Sequence, residues 1–509
     1  MGRAGLPRRV MRAGPRRAWR CGHDRCSALL QRIGHALHHR GGGLGAAARR
    51  AGAHGGRRAA PPGAGAAAGC RIGSDVLILP DVPRRWRAGA GPPHQVLHRG
   101  NAMKKKSLAM FVRPRRRAGE LAARRNRKMA RSVHAYVRGN TARYYEWLEN
   151  AKVGTLPEGP AIWICGDCHT GNLGPVANDA GEIEIQIRDL DQTVIGNPVH
   201  DLIRLSLSLA TAARSSDLPG IVTARIIEEV HEGYTRALAG GKRRAAAIPK
   251  PDVVRIVMRD ALERTWKHLA RERLMGVKPE LPLGKRFWPL SAAEARGIAA
   301  LAASPEIAEL ATGLRGHRPG EQVELLDAAY WVKGCSSLGR LRYAVLLDVD
   351  GAASDGDDLC LIDIKEGTTA LAPRYRDSEM PRDNGRRVVE GARHLSPHLG
   401  NRMCAATLAD RSVIVRELLP ADLKLEIGSV DEVEARRIAR YLAYVVGVAH
   451  ARQMDAATRK RWLAELKRVR SKTIDAPFWL WRSVIELMGS HEVGYLEHCR
   501  RVAAQHGQA

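Results

Sequence analysis

Residues 163–205, WICGDCHTGNLGPVANDAGEIEIQIRDLDQTVIGNPVHDLIRL, limit what this chain can fold into more than any other stretch. A short apolar run at 161–164 reads as a buried strand, and it delivers Asp167, His169 and Asn172 onto one tight loop. A second run at 183–187, apolar at every other position, reads as a strand that delivers Asp189 and Asp191. Gly196-Asn197-Pro198 and Asp201 follow. Taken singly, Asp167 reads as a turn cap and Asn172 as a left-handed turn residue. Taken together, the set is what phosphoryl transfer to a hydroxyl needs: one carboxylate to orient the nucleophile, and an amide plus a further carboxylate to hold magnesium. The same loop spells C-x-x-C-H from Cys165 to His169, a pattern of haem attachment or half a zinc site. Haem attachment requires export and an axial partner. Zinc requires a second cysteine pair at short spacing, which the sequence lacks. Neither reading accounts for Asp167, Asn172, Asp189 or Asp201.

These residues resemble the catalytic centre of the aminoglycoside phosphotransferase and protein-kinase-like superfamily, whose loop reads H-G-D-x-H-x-x-N and whose metal strand reads I-D-F. Within that superfamily the chain resembles the bacterial family called domain of unknown function 2252. The resemblance implies an α+β, two-lobed kinase-like enzyme that binds ATP and magnesium and phosphorylates an unknown hydroxyl-bearing substrate. It places Asp167 as the base, with His169 beside it in the catalytic loop, Asn172 and Asp189 on the metal, and Asp191 as a second carboxylate ligand. It implies that Asp201 anchors the backbone of the loop. The chain departs from the pattern at Cys165, where the superfamily usually has His. That departure supports an alternative, a nucleotide-binding pseudokinase that keeps the fold without turnover. Residues 127–140 resemble the family's segment before the loop, and Arg138 there reads equally as a solvated helix end or as an anion contact.

Further along, 330–347 reads as strand, glycine turn, strand, and 359–365 as a third strand ending in Lys365. A glycine turn over phosphates followed by a strand-borne lysine is the kinase nucleotide cradle. Gly334, Ser336, Ser337, Gly339 and Lys365 are therefore expected to bind the cofactor. Glu390, on a helix opened by Arg386, is expected to pair with Lys365. The strand at 412–418, with Glu417, suits the hinge beside adenine.

Helices are expected at 120–129, 201–239, 249–262 and 292–314, and again at 433–452, striped by Ile438, Leu442, Val445 and Ala449. This last helix looks like the one that leads into the catalytic loop of ordinary kinases, yet here the loop lies far upstream. The order is therefore expected to be circularly permuted, which is feasible where domain termini lie close together. The expected divisions are 103–320 as a helical catalytic lobe, 321–430 as a nucleotide-binding sheet lobe, and 431–509 as helices returning to the catalytic lobe.

Residues 1–102 stand apart. The first hundred hold no Lys and no Glu, and carry more than half of the net charge of +30 on a 509-residue chain. The segment lacks apolar periodicity and is expected to be disordered. It reads either as a basic arm for nucleic acid or as an upstream stretch before a true start at Met103. Apart from such an arm, no nucleic-acid partner is expected. No apolar run reaches the roughly 18 residues of a membrane span, so no membrane partner is expected. The nine cysteines form no regular framework, and a cytoplasmic location is expected.

Overall fold

Local side-chain caps mark where several of the helices begin. In the computed structural model, which describes residues 111–507 except 153, 179–180, 217, 241–247, 264–279, 314–321, 336, 350–358, 420–429 and 468–475, Ser132 and Asn140 each accept the backbone N–H three residues on. They open α2 (Val133–Gly139) and α3 (Thr141–Glu149), which follow α1 (Arg117–Met129). Such a cap satisfies one donor that the first helical turn would otherwise leave unpaired. The expected arm at 1–102 lies outside the described residues, all of which belong to one compact unit.

Next come two antiparallel ribbons that carry the loops of interest. Strand β1 (Ile162–Ile164) pairs with β4 (Val194–Gly196), and β2 (Leu173–Ala177) pairs with β3 (Ile183–Ile187). Then α4 (Val199–Ser215), α5 (Gly220–Ala239) and α6 (Asp252–Glu263) follow. The single helix expected over 201–239 is two helices, because Pro219 lacks the N–H that a continuing helix needs. The expected stripe of Ile227, Val230, Tyr234 and Leu238 is buried as one face of α5.

A six-stranded antiparallel sheet occupies the middle of the chain, in the order β5-β6-β7-β8-β10-β9. Its strands are β5 (Phe287–Trp288), β6 (Val323–Trp331), β7 (Arg342–Val349), β8 (Leu359–Glu366), β9 (Met403–Leu408) and β10 (Arg411–Leu418). Helices α7 (Ala292–Ala302) and α8 (Pro305–Thr312) lie between β5 and β6, split at Pro305 where one helix was expected. Helix α9 (Asn384–Leu395) and the short α10 (Pro397–Gly400) lie between β8 and β9. The chain closes with α11 (Glu432–Ala451), α12 (Ala456–Lys467) and α13 (Phe478–Gly507). Helices and an antiparallel sheet each occupy their own stretches of chain, so the fold class is α+β.

Two cores hold these parts. The larger buries β1–β4, α4, α5 and α11, together with Val388, Val389, Ala392 and Leu395 from the inner face of α9. The second lies on one sheet face beneath Leu121 of α1, Ile298 of α7 and Ile307 and Leu310 of α8. The boundary expected at 320 is therefore misplaced. Strand β5 and helices α7 and α8 pack with the sheet, while α9 lies between strands β9 and β10 and the helical core. An apolar helical stripe shows that a helix is buried, but it does not say against which partner. Among the described residues, no helix is long and apolar enough to cross a membrane.

Candidate active site

Strand β1 ends at Ile164, and the chain turns sharply at Gly166, whose φ is +74°. A Cβ at Gly166 would sit 2.1 Å from the Gln192 carbonyl oxygen, so the turn has room only for glycine. Asp201, in the first turn of α4, fixes this turn from below. Its carboxylate accepts the N–H of Cys165 at 2.7 Å and that of Gly166 at 2.9 Å. The same carboxylate takes a hydrogen bond from His450 Nε2 of α11 at 3.1 Å, and both side chains are fully buried. Beyond it, the Tyr234 hydroxyl donates to His450 Nδ1 at 2.9 Å and accepts from Trp462 Nε1 at 3.1 Å.

The loop presents Asp167 with both oxygens engaged. Arg204 Nε donates to Oδ1 at 2.9 Å and the Thr141 hydroxyl donates to Oδ2 at 2.9 Å. His169 Nε2 lies 3.9 Å from Oδ2, while Nδ1 accepts the Gly171 N–H at 3.1 Å. Burial, against the pull of Asp167 and helped by Arg138 and Arg204, lowers the His169 pKa to about 3. The imidazole is thus neutral, with its proton on the nitrogen nearer Asp167. Asn172 donates its amide N–H to the Asp167 carbonyl at 2.8 Å, which leaves Oδ1 as its atom for a cation.

From the sheet, Lys365 near the end of β8 reaches the second pair of carboxylates. Its Nζ is 3.0 Å from Asp189 Oδ1 and 2.6 Å from Asp191 Oδ2. Enclosure works to raise the Asp189 pKa, but the charge and hydrogen bond of Lys365, with Arg342 beyond, hold it well below the carboxylate range. Burial and the charge of Asp189 push Asp191 the other way, upward. Burial lowers Lys365, but the two aspartates outweigh it and its pKa is raised. One ammonium thus serves two carboxylates, and the pair titrates as a unit.

Asn172, Asp189 and Asp191 line two adjoining cavities. The larger, about 440 Å³, is bounded by Lys365, Gly334 and Ser337 on the sheet side, His169 in the loop, and the apolar Val388, Met403 and Ile414. The smaller, about 80 Å³, holds Asp167 together with Thr141, Gln192 and Arg340. Gly334 and Gly339 both have positive φ, +84° and +99°, and a Cβ at Gly334 would meet Ser337 Oγ at 2.4 Å. Ser337 serves its own turn, donating to the Lys333 carbonyl at 3.0 Å and accepting from Arg342 at 3.2 Å. Ser336 lies outside the described residues.

Two expected assignments are corrected. Glu390 does not pair with Lys365: it bonds His394 at 3.2 Å and Arg393 at 3.5 Å on its own helix, on the half-exposed side. From α9 it is Val388 that lines the larger cavity, while Arg387 donates to the backbone carbonyls of Thr193, Asp191 (3.0 Å) and Thr368 (2.8 Å). The cause is helical phase: Val388, Val389 and Ala392 face the core, which leaves Glu390 outside. Glu417 is buried but is not part of either cavity wall. Alternation along β10 sends Ile414 and Arg416 to the larger cavity and places Glu417 in step with Val413 and Val415.

Arg204 and Thr141 were not singled out from the sequence. Arg204 had a legible signal, because it stands three residues after Asp201 and shares its helical face. Thr141 had none, since it reaches the loop only through the packing of α3. Cys165 and Cys168 are buried free thiols. The hydrogen bond to Cys168 and burial push the Cys165 thiol well above its ordinary range. Among the described residues, no group of three or more His, Cys, Asp or Glu could hold a metal ion. Among those residues, the zinc reading of this loop therefore gains no complete ligand set.

The sequence profile of the family described as "uncharacterized protein conserved in bacteria (DUF2252)" matches residues 117–501. The chain belongs to this family. No curated protein and no solved structure matches it.

Proposed function

We propose that this protein is an ATP- and magnesium-dependent phosphotransferase of kinase-like, circularly permuted construction, which moves a γ-phosphate to a hydroxyl acceptor. The observation that carries the reading is the meeting of Lys365, from the sheet, with Asp189 and Asp191 beside Asn172 and Asp167. Chain order supports it. A glycine turn joins β6 to β7, the lysine lies on β8, and a helix follows before β9, which is the sequence of parts in a kinase nucleotide cradle. The permutation has its own support, because α11 returns from the far end of the chain to place His450 on the residue that anchors the loop.

The donor set fits magnesium. Asn172, Asp189 and Asp191 offer hard oxygen atoms, and a cation, the Lys365 ammonium, already lodges against the two carboxylates. Magnesium held there would offset the charge of the β- and γ-phosphates. The protein's own residues do the rest. Lys365 binds phosphate oxygens, and the turn from Gly334 to Gly339 covers them. Asp167, held by Arg204 and Thr141, accepts the acceptor's hydroxyl proton. The acceptor oxygen bonds to the γ-phosphorus as the bond from that phosphorus to the β-bridging oxygen breaks, and ADP leaves.

Titration with ATP, with and without magnesium, alongside a turnover assay, tests this. Asp167→Asn is expected to keep ATP affinity and lower transfer about 100- to 10,000-fold. Asp189→Asn is expected to weaken magnesium-dependent binding only, and Lys365→Ala to weaken binding even without metal. If Asp189→Asn and Lys365→Ala both leave binding unchanged, the two parts do not form one site and the reading fails. Normal binding with no turnover on any acceptor favours the pseudokinase.

A further inference from the structure

The nucleotide reading leaves one group of charges without a task. Between residues 111 and 142 the sequence carries ten Arg and Lys and a single acid, Glu120. Four of these cations reach the cavities. Arg125 lines the small one beside Asp167, and Lys128, Arg131 and Arg138 line the large one. Arg125 and Lys128 stand three apart on α1 and share a face, so they form a wall rather than a scatter. Glu120 offsets none of this, because it bonds Arg124 at 2.8 Å and Arg127 at 3.2 Å. Lys128 Nζ bonds a carbonyl, that of Gly334, at 2.6 Å. Among the described residues, neither Arg125 nor Arg131 forms an ion pair. Burial, with the charges of Arg131 and Arg124, lowers the Lys128 pKa, as expected where cations crowd one another.

A wall of this charge over a reaction centre selects its ligand. A Mg-nucleotide is already served by Lys365, the glycine turn and the metal set. Of the surplus cations, Arg125 lines the chamber that holds Asp167, and Arg131 lines the adjoining larger cavity, with Asn172, Asp189 and Asp191 common to both. We propose that the phosphate acceptor is a small alcohol that also carries an anionic group, a phosphate or a carboxylate, and that Arg125 and Arg131 hold that group while its hydroxyl meets Asp167. This rests on the phosphotransferase reading and adds the class of acceptor. The chamber that holds Asp167 is small, about 80 Å³.

The test is calorimetric titration of the full chain, saturated with a non-hydrolysable ATP analogue and magnesium so that the phosphate cradle is filled. The probes are glycerol 3-phosphate and glycerate, which separate phosphate from carboxylate, each against neutral glycerol. The expected result is that one anion binds at least about tenfold tighter than glycerol, the size of one lost charge-assisted hydrogen bond. Raising the salt concentration is expected to shrink that gap. Arg125→Ala is expected to erase the gap while nucleotide affinity stays within about twofold, and the surface variant Arg131→Ala is expected to shrink the gap. Equal binding of anion and glycerol, no binding of either anion, or anion binding unchanged in both variants overturns the proposal. So does tight binding of a single-stranded RNA oligonucleotide without binding of the small anions, which would assign the wall to a polyanion. Failure of the ATP analogue to bind the wild type sinks the phosphotransferase reading instead. The anion titration is then repeated without nucleotide and judges the wall by the same outcomes.

Discussion

Asp201 illustrates how a residue far from any ligand governs this site. Its carboxylate fixes two N–H groups of the turn at Gly166 and one imidazole, all out of contact with water. Removing it leaves three buried donors without an acceptor, each worth about 1–3 kcal/mol. Asp201→Ala is therefore expected to lower stability by at least about 3 kcal/mol in denaturant unfolding, and to abolish any transfer activity with it. Thr141 and Arg204 act one step closer, since each holds one oxygen of Asp167 and so sets where the other lone pairs point. Cys165 changes the loop less than its place in the pattern implies. Its N–H still reaches Asp201, and its Sγ lies 3.5 Å from the Asp189 carbonyl, tying the loop to the strand-borne carboxylates.

At the scale of elements, the contact that matters most is the crossing of α5 and α11. Two glycines make it possible. A Cβ at Gly233 would lie 2.0 Å from the Arg440 carbonyl oxygen, and one at Gly447 would lie 2.6 Å from Ala237 Cβ. The backbones therefore approach closely, and this approach brings His450 to Asp201. Gly233→Ala would gain up to about 1 kcal/mol of helix propensity. The clash is with backbone, which cannot swing aside, and overpacking typically costs about 1–3 kcal/mol. The net expectation is a lower urea midpoint for Gly233→Ala, and a rise in the midpoint would show that the helices separate at no cost. Around this crossing, Glu229 accepts from Arg436 at 2.9 Å and from Arg440 at 2.5 Å, locking register along the same pair.

At the scale of the molecule, burial of histidine sets the response to acid. Burial first, with nearby arginines adding at three of them, lowers His134 and His200 to about 4 and His169 and His491 to about 3. Unfolded, each returns to about 6.5. Between those limits the unfolded chain binds protons that the folded chain does not, so stability is fully present above pH 6.5 and falls as the pH drops toward 4. Asp189, whose pKa is lowered when folded, adds nothing to that window, because it is ionised in both states until below about 4. Urea midpoints at pH 7, 6 and 5 are expected to decline steadily, with proton uptake on unfolding, and a flat profile would contradict the burial. The whole molecule also separates what was legible in the sequence from what was not. Alternating strands, glycine turns, helical stripes and the cluster Asp167, Asn172, Asp189 are local patterns with fixed periods, so the sequence by itself determined them, along with the family. The breaks at Pro219 and Pro305 were equally local and were there to be read. Which core each helix joined, that Val388 rather than Glu390 faces the site, and that Thr141 and Arg204 hold Asp167 were decided only by tertiary structure. Helical periodicity gives a buried face but not its partner, and contacts between residues hundreds of positions apart leave no spacing in the sequence to read.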